Sequence, residues 1–148
     1  MIKLARRLKK ELKDLENCPL MSVTPDENNI QKLTAIIEGP SETPYEGGKF
    51  KLEITLPKDY PFREPEVKMM TKIFHPNIDA PHICLDVLKE RWSFAMTIRI
   101  LLLSILSLLD DPNPASPLNI DAAKLWKLDR EKYNETVRLW VKEYASSE

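Results

Sequence analysis

"KFKLEITLP", residues 49–57, sets Phe50, Leu52, Ile54 and Leu56 against Lys51, Glu53 and Thr55. Successive side chains of an extended chain point to opposite sides, so this alternation marks a strand with one buried face. Similar apolar runs flank it: "KLTAIIEG" (32–39) before and "EVKMMTKIF" (66–74) after. Between them lie "PSETPYEGG" (40–48) and "KDYPFREP" (58–65), rich in turn residues. Three strands at this spacing imply an antiparallel meander. All the glycines, Gly39, Gly47 and Gly48, fall in this region, where turns need them.

Outward from the meander, the pattern becomes helical at both ends. In "MIKLARRLKKELKDLE" (1–16), Leu4, Leu8, Leu12 and Leu15 form one apolar stripe. Its other face is basic: residues 1–13 hold Lys3, Arg6, Arg7, Lys9, Lys10 and Lys13 against one acid, Glu11. Such a face is either solvated or a docking surface for an acidic partner. Toward the other end, "ILLLSILSLL" (100–109) spans about half the length needed to cross a bilayer and reads as a buried helix. Thr97 can cap it, its nearly all-round apolar character places it centrally, and the prolines of "DDPNPASP" (110–117) end it. "IDAAKLW" (120–126) and "DREKYNETVRLWVKEYA" (129–145) form one or two amphipathic helices, with Asp129 a candidate cap. Tyr133, Val137, Trp140, Val141 and Tyr144 make the apolar face of the last. The order helix, strands, helices is an α+β layout, with helices segregated against one face of the sheet.

At 148 residues, 43% hydrophobic and 30% charged, the chain has the profile of one soluble domain over residues 1–148. A net charge of -1 supplies no global attraction for nucleic acid or an anionic membrane, and neither is an expected partner. Two cysteines and no secretory leader point to an intracellular location, cytoplasm or nucleus, with free thiols.

One of those thiols, Cys84, lies in "HPNIDAPHICLD" (75–86), where periodicity disappears for about twenty residues. Loops of that length are often functional. Three readings of Cys84 follow from residue chemistry. It can be a buried thiol, as free cysteines commonly are. It can join His75, His82 and Cys18 around zinc, although Cys18 lies far away in sequence. It can be a hydrolase nucleophile with His75 or His82 as base, although no glycine-rich nucleophile turn surrounds it.

The same stretch resembles the active-site signature of ubiquitin-conjugating enzymes, a His-Pro-Asn tripeptide followed by a cysteine in an Ile-Cys-Leu-Asp setting. The resemblance runs through the whole chain: "EGPSETPYEGGKFKLEITLPKDYPF", "MTKIFHPNID", "LKERW", "LLLSILSLL", "DPNPASPLN" and "DREKYN" follow in the family's order. It implies a four-stranded antiparallel meander sheet with an N-terminal helix, a central buried helix and C-terminal helices. It also implies an acyltransferase in which Cys84 accepts ubiquitin as a thioester from an activating enzyme and passes it to a lysine. A thiol suits that role, being nucleophilic as a thiolate and a good leaving group. No cofactor or metal is implied, since ATP is used upstream by the activating enzyme. By the same resemblance Asn77 donates to the oxyanion or shapes the loop, His75 and Pro76 are loop structure, and Asp86 positions the loop or makes a local backbone bond. Lys3, Arg6, Arg7, Lys10, Phe62, Ser93 and Phe94 fall where the family meets its ligases, of RING or HECT type, and its activating enzyme. Ser22 matches a position that binds a second ubiquitin non-covalently in some relatives.

Several features depart from the family pattern. Glu64 and Phe94 stand where prolines are usual, Pro81 where a glycine is common in a segment one residue shorter, and Ser116 where many relatives carry an acid near the incoming lysine. "PDENN", "FKLE", "MTKIFHPNID" and "IRILLLSI" resemble a subtype that pairs with a cysteine-less variant partner; Phe62 and "DREKYN" resemble the general, many-ligase subtype. Thr55 stands where the first subtype presents an aromatic to its partner. Two alternatives stay open at this level: conjugation of another ubiquitin-like modifier, and a non-catalytic binding module of the same fold, against which Cys84 itself argues.

Overall fold

The computed structural model describes residues 2–88 and 90–146. Lys89 of the "LKERW" stretch and the ends of the 1–148 domain span, residues 1, 147 and 148, therefore lie outside the described residues. Helix α1 (Ile2–Leu15) precedes strands β1 (Met21–Pro25), β2 (Lys32–Glu38), β3 (Lys49–Thr55) and β4 (Glu66–Met69). The four pair antiparallel in the order β1-β2-β3-β4, the expected meander. Register follows the apolar alternation, with Leu52 opposite Ala35 and Met69, and Ile54 opposite Leu33 and Val67. Phe50, Leu52, Ile54 and Leu56 are wholly buried, as a strand with one core face requires.

Two glycines fix the turn before β3 for different reasons. Gly47 adopts φ +88°, a left-handed conformation that favours glycine. Gly39 approaches so closely that a Cβ there would lie 1.8 Å from the Tyr45 carbonyl oxygen.

The long aperiodic stretch contains more order than its sequence shows. Strands β5 (Ile78–Asp79) and β6 (His82–Ile83) form a small hairpin, followed by a 3-10 turn at Asp86–Leu88. Two-residue strands are too short to display a period, so the expectation of an unbroken loop is corrected here. Helix α2 (Ile98–Asp110) is capped by Thr97, whose hydroxyl accepts from Ile100 N. Its core face is Ile98, Leu101, Leu102, Ile105 and Leu109, but Ile100 and Leu103 are 38% and 41% exposed. The helix is thus packed on one side, not buried all round. Helices α3 (Ile120–Leu128) and α4 (Arg130–Tyr144) are separate and meet at Asp129, which caps α4 through Lys132 N. On α4, Tyr133 and Val137 are buried, while Tyr144 reaches the surface against Lys72.

The last helix is tied to the sheet and to the residue before the His75-Pro76-Asn77 tripeptide. Lys49 N donates to Ala145 O. Tyr45 donates its hydroxyl proton to Phe74 O and shares a 2.7 Å contact with the Tyr133 hydroxyl.

Candidate active site around Cys84

The His75-Pro76-Asn77 tripeptide is buried between the small hairpin and the chain beyond α2. His75 has no exposed surface; its Nε2 faces Leu108 O at 2.7 Å and its Nδ1 accepts from Asn77 N at 2.9 Å. The carbonyl can only accept and the amide can only donate, so the proton sits on Nε2. Burial lowers the imidazole pKa from 6.5 to about 4, partly offset by the Leu108 carbonyl. His75 is therefore neutral with both nitrogens engaged, which leaves no lone pair for a nearby thiol.

Pro76 has no N–H to satisfy, and its carbonyl accepts from Leu118 N at 2.7 Å and Asn119 N at 3.1 Å. Asn77 follows, 1% exposed. Its Nδ2 donates to Asn113 O at 2.7 Å and Ser116 O at 3.1 Å, and its Oδ1 accepts from Asn113 N at 2.8 Å. Both amide protons are thereby committed to the 113–116 segment. Ser116 is exposed, and it is its backbone carbonyl that Asn77 holds.

Cys84 leaves the hairpin just after Ile83, which pairs with Ile78. Its N–H donates to Asn77 O at 2.9 Å, so the tripeptide sets the backbone from which the thiol projects. The side chain is free of disulfide bonding and half-buried. The site thus combines a half-buried free cysteine with a backbone N–H held by the Asn77 carbonyl. Asp86 opens the 3-10 turn, where its backbone carbonyl accepts from Glu90 N and Arg91 N. Among the described residues its exposed carboxylate makes no hydrogen bond, so a local backbone contact exists but comes from the main chain.

The zinc reading finds no ligand cluster among the described residues, and for the hydrolase reading His75 already has both ring nitrogens engaged. Among the described residues no three His, Cys, Asp or Glu side chains gather as a metal site. Cys18 lies at the end of α1 with its Sγ against Asp14 O at 3.5 Å. His82 is exposed on β6, opposite Asp79.

Away from the thiol, Phe62 and Phe94 are 74% and 67% exposed, with ring centroids 6.2 Å apart. They extend from different segments, which Trp92 joins by donating Nε1 to Pro61 O at 2.8 Å and packing on Tyr60. Ser93 is exposed beside Phe94, and Lys3, Arg6 and Lys10 are exposed on α1. Arg7 differs from them. It is half-buried, paired with Glu11 at 2.8 Å, and donates Nη2 to Met96 O at 3.2 Å. Ser22 is exposed on β1, opposite Ile36 of β2.

Glu11, an acid among the basic residues of α1, turns to the core. It is 5% exposed and accepts from Arg7 Nε, Tyr60 OH and Ile98 N. Its place on the Leu4, Leu8, Leu15 stripe was the available signal, since an acid at a buried helical position must find donors.

A model of the ubiquitin-conjugating enzyme family matches residues 7–141. The chain belongs to that family. It is 49% identical over 148 residues to ubiquitin-conjugating enzyme E2 N of Drosophila melanogaster, covering 98% of each chain. Identity to ubiquitin-conjugating enzyme E2 N of Macaca fascicularis is 47%, over 98% of this chain and 97% of that one. Among solved structures, a Plasmodium yoelii protein assigned to the ubiquitin conjugating enzymes superposes with a TM-score of 0.92 at 45% identity, covering 99% and 97%. A Toxoplasma gondii ubiquitin conjugating enzyme domain superposes at 0.89 with 42% identity, covering 96% and 99%. The ubiquitin-conjugating fold is therefore shared along the whole chain, and the binding-module and other-modifier alternatives are not favoured.

Proposed function

We propose that Cys84 accepts the C-terminus of ubiquitin from an activating enzyme as a thioester and yields it to a lysine, with a ligase bound at the Phe62–Phe94 end. The observation that carries this reading is the half-buried free cysteine on a backbone held by Asn77 O. In the transfer, the lysine nitrogen attacks the thioester carbonyl, the C–S bond breaks, the thiolate departs and the amine proton passes to solvent. An isopeptide bond replaces the thioester without oxidant, reductant or cofactor in this chain; ATP is consumed upstream.

The neighbouring residues take roles consistent with their contacts. His75, neutral and engaged at both nitrogens, is a strut between α2 and the tripeptide, and Pro76 anchors the 118–119 backbone. Asn77 holds the 113–116 segment across the site, so its amide reaches a developing oxyanion only by giving up one carbonyl. Ser116, on that segment, meets the incoming amine, and Asp86 shapes the turn after the thiol through its carbonyl. Lys3, Arg6, Lys10 and Ser93, all exposed, belong with the aromatic pair to the surface offered to ligase and activating enzyme, and Arg7 supports it through Glu11 and the Met96 carbonyl. Ser22, exposed on β1, offers a second, non-covalent ubiquitin site, and pairing with a cysteine-less variant belongs to the same proposal. The compartment in keeping with free thiols is cytoplasm or nucleus.

Incubation with activating enzyme, ATP and a panel of ubiquitin-like modifiers tests the reading. Ubiquitin alone should form a thiol-sensitive adduct that Cys84→Ser converts to a thiol-resistant oxyester. An adduct mapped by mass spectrometry to Cys18, or loading only by another modifier, would overturn it.

A further inference from the structure

The two aromatics of the exposed pair sit on separate segments, and one buried carboxylate is bonded to both. Glu11 Oε2 accepts from Tyr60 OH at 2.9 Å, two residues before Phe62. Glu11 Oε1 accepts from Ile98 N at 2.7 Å, four residues after Phe94. The same carboxylate holds Arg7 Nε at 2.8 Å, and Arg7 in turn reaches Met96 O, two residues after Phe94. Arg7 also lies 5.5 Å over the Tyr60 ring. An apolar side chain at position 11 would complete the stripe of Leu4, Leu8 and Leu15 without burying a charge, which is costly unless fully bonded. The carboxylate instead bridges the two segments from which the exposed rings extend.

We propose that Glu11 is a positioning residue for partner recognition, locking the Phe62 and Phe94 segments at the spacing a docking partner needs. This rests on the reading of that pair as the ligase contact. A pre-set spacing removes the ordering cost at binding, so its loss appears as weaker affinity and not as slower chemistry.

Glu11→Gln is the chosen variant. It keeps an acceptor for Ile98 N and a group that can meet the Tyr60 hydroxyl, but turns an amide N–H toward Arg7. With wild type loaded and ligase-responsive, the variant should raise the KM for ligase about tenfold, the change expected when a charge-assisted bond is lost. The kcat at saturating ligase, loading and unaided discharge to lysine should stay within about twofold, and the Trp92 indole N–H signal should move in NMR spectra. Tyr60→Phe, which removes one hydroxyl and keeps the ring, should shift KM in the same direction by less. An unchanged ligase KM in a folded variant overturns the assignment. So does parallel loss of stability, loading and unaided discharge in both variants, which marks Glu11 as merely structural. Failure of wild-type Cys84 to load overturns the enzymatic reading instead.

Discussion

Asn77 and Asn113 exchange two hydrogen bonds, Nδ2 to the Asn113 carbonyl at 2.7 Å and the Asn113 N–H to Oδ1 at 2.8 Å. This closed ring joins the His75-Pro76-Asn77 tripeptide to a segment 36 residues away. Asn77→Ala would open it and remove part-buried hydrogen bonds to the Asn113 and Ser116 backbone, at about 1 kcal/mol of stability for each bond lost. Discharge of ubiquitin to lysine should slow by about tenfold or more, with loading nearly normal and faster hydrogen exchange at the Asn113 amide. Slow discharge with unchanged exchange at Asn113 would favour direct donation to the oxyanion.

The His75 imidazole supplies a pH dependence of known sign. Its folded pKa is about 4 against 6.5 when free, so between those values the unfolded chain binds more protons. Stability from this group is complete above about pH 6.5 and falls as pH drops toward 4, by roughly 3 kcal/mol. Denaturant unfolding at pH 7 and 4.5 should show His75→Gln less stable at pH 7 but missing about 2 kcal/mol or more of the wild-type acid loss. Equal acid losses would remove His75 as their source.

Phe62→Ala and Phe94→Ala should each weaken ligase-stimulated transfer by about tenfold in KM, because exposed aromatics carry disproportionate binding energy. Both side chains are mostly in solvent, so melting should barely change. Large losses of thermal stability with intact ligase response would mark the pair as packing instead.

Ser116 is neutral where an acid would orient an incoming ammonium more strongly. Free lysine, with a pKa of about 10.4, must lose its proton to attack, and a nearby carboxylate favours the charged form. Any gain from an acid is thus one of orientation or proton relay. Ser116→Asp should speed unaided discharge by about threefold or more near neutral pH without altering loading. Discharge measured from pH 6.5 to 9 with no gain at any pH would exclude this role.

The sheet was readable because its strands run several residues with one face buried, so Phe50, Leu52 and Ile54 announce themselves by period. The Thr97 and Asp129 caps were readable because a side-chain oxygen before an apolar run has one favoured use. The β5–β6 hairpin was not, because Ile78–Asp79 and His82–Ile83 each span one period. The solvent face of α2 was missed because Ile100 and Leu103 are as apolar as the residues behind them. At the candidate site, motif order singles out Cys84 and Asn77, but which carbonyls occupy the Asn77 amide depends on long-range contacts with no local pattern.

The Tyr45–Tyr133 pair has a direction. Phe74 O can only accept, so Tyr45 gives it the one proton it owns, and Tyr133 must then give its own to Tyr45. Burial raises both phenols, Tyr133 to about 12. The Gly39–Gly48 turn, the residue just before the tripeptide and the last helix thus hang on a one-way proton line. Alkali that strips either phenol leaves two oxygens facing each other with too few hydrogens between them, so the three segments should come apart in one cooperative step.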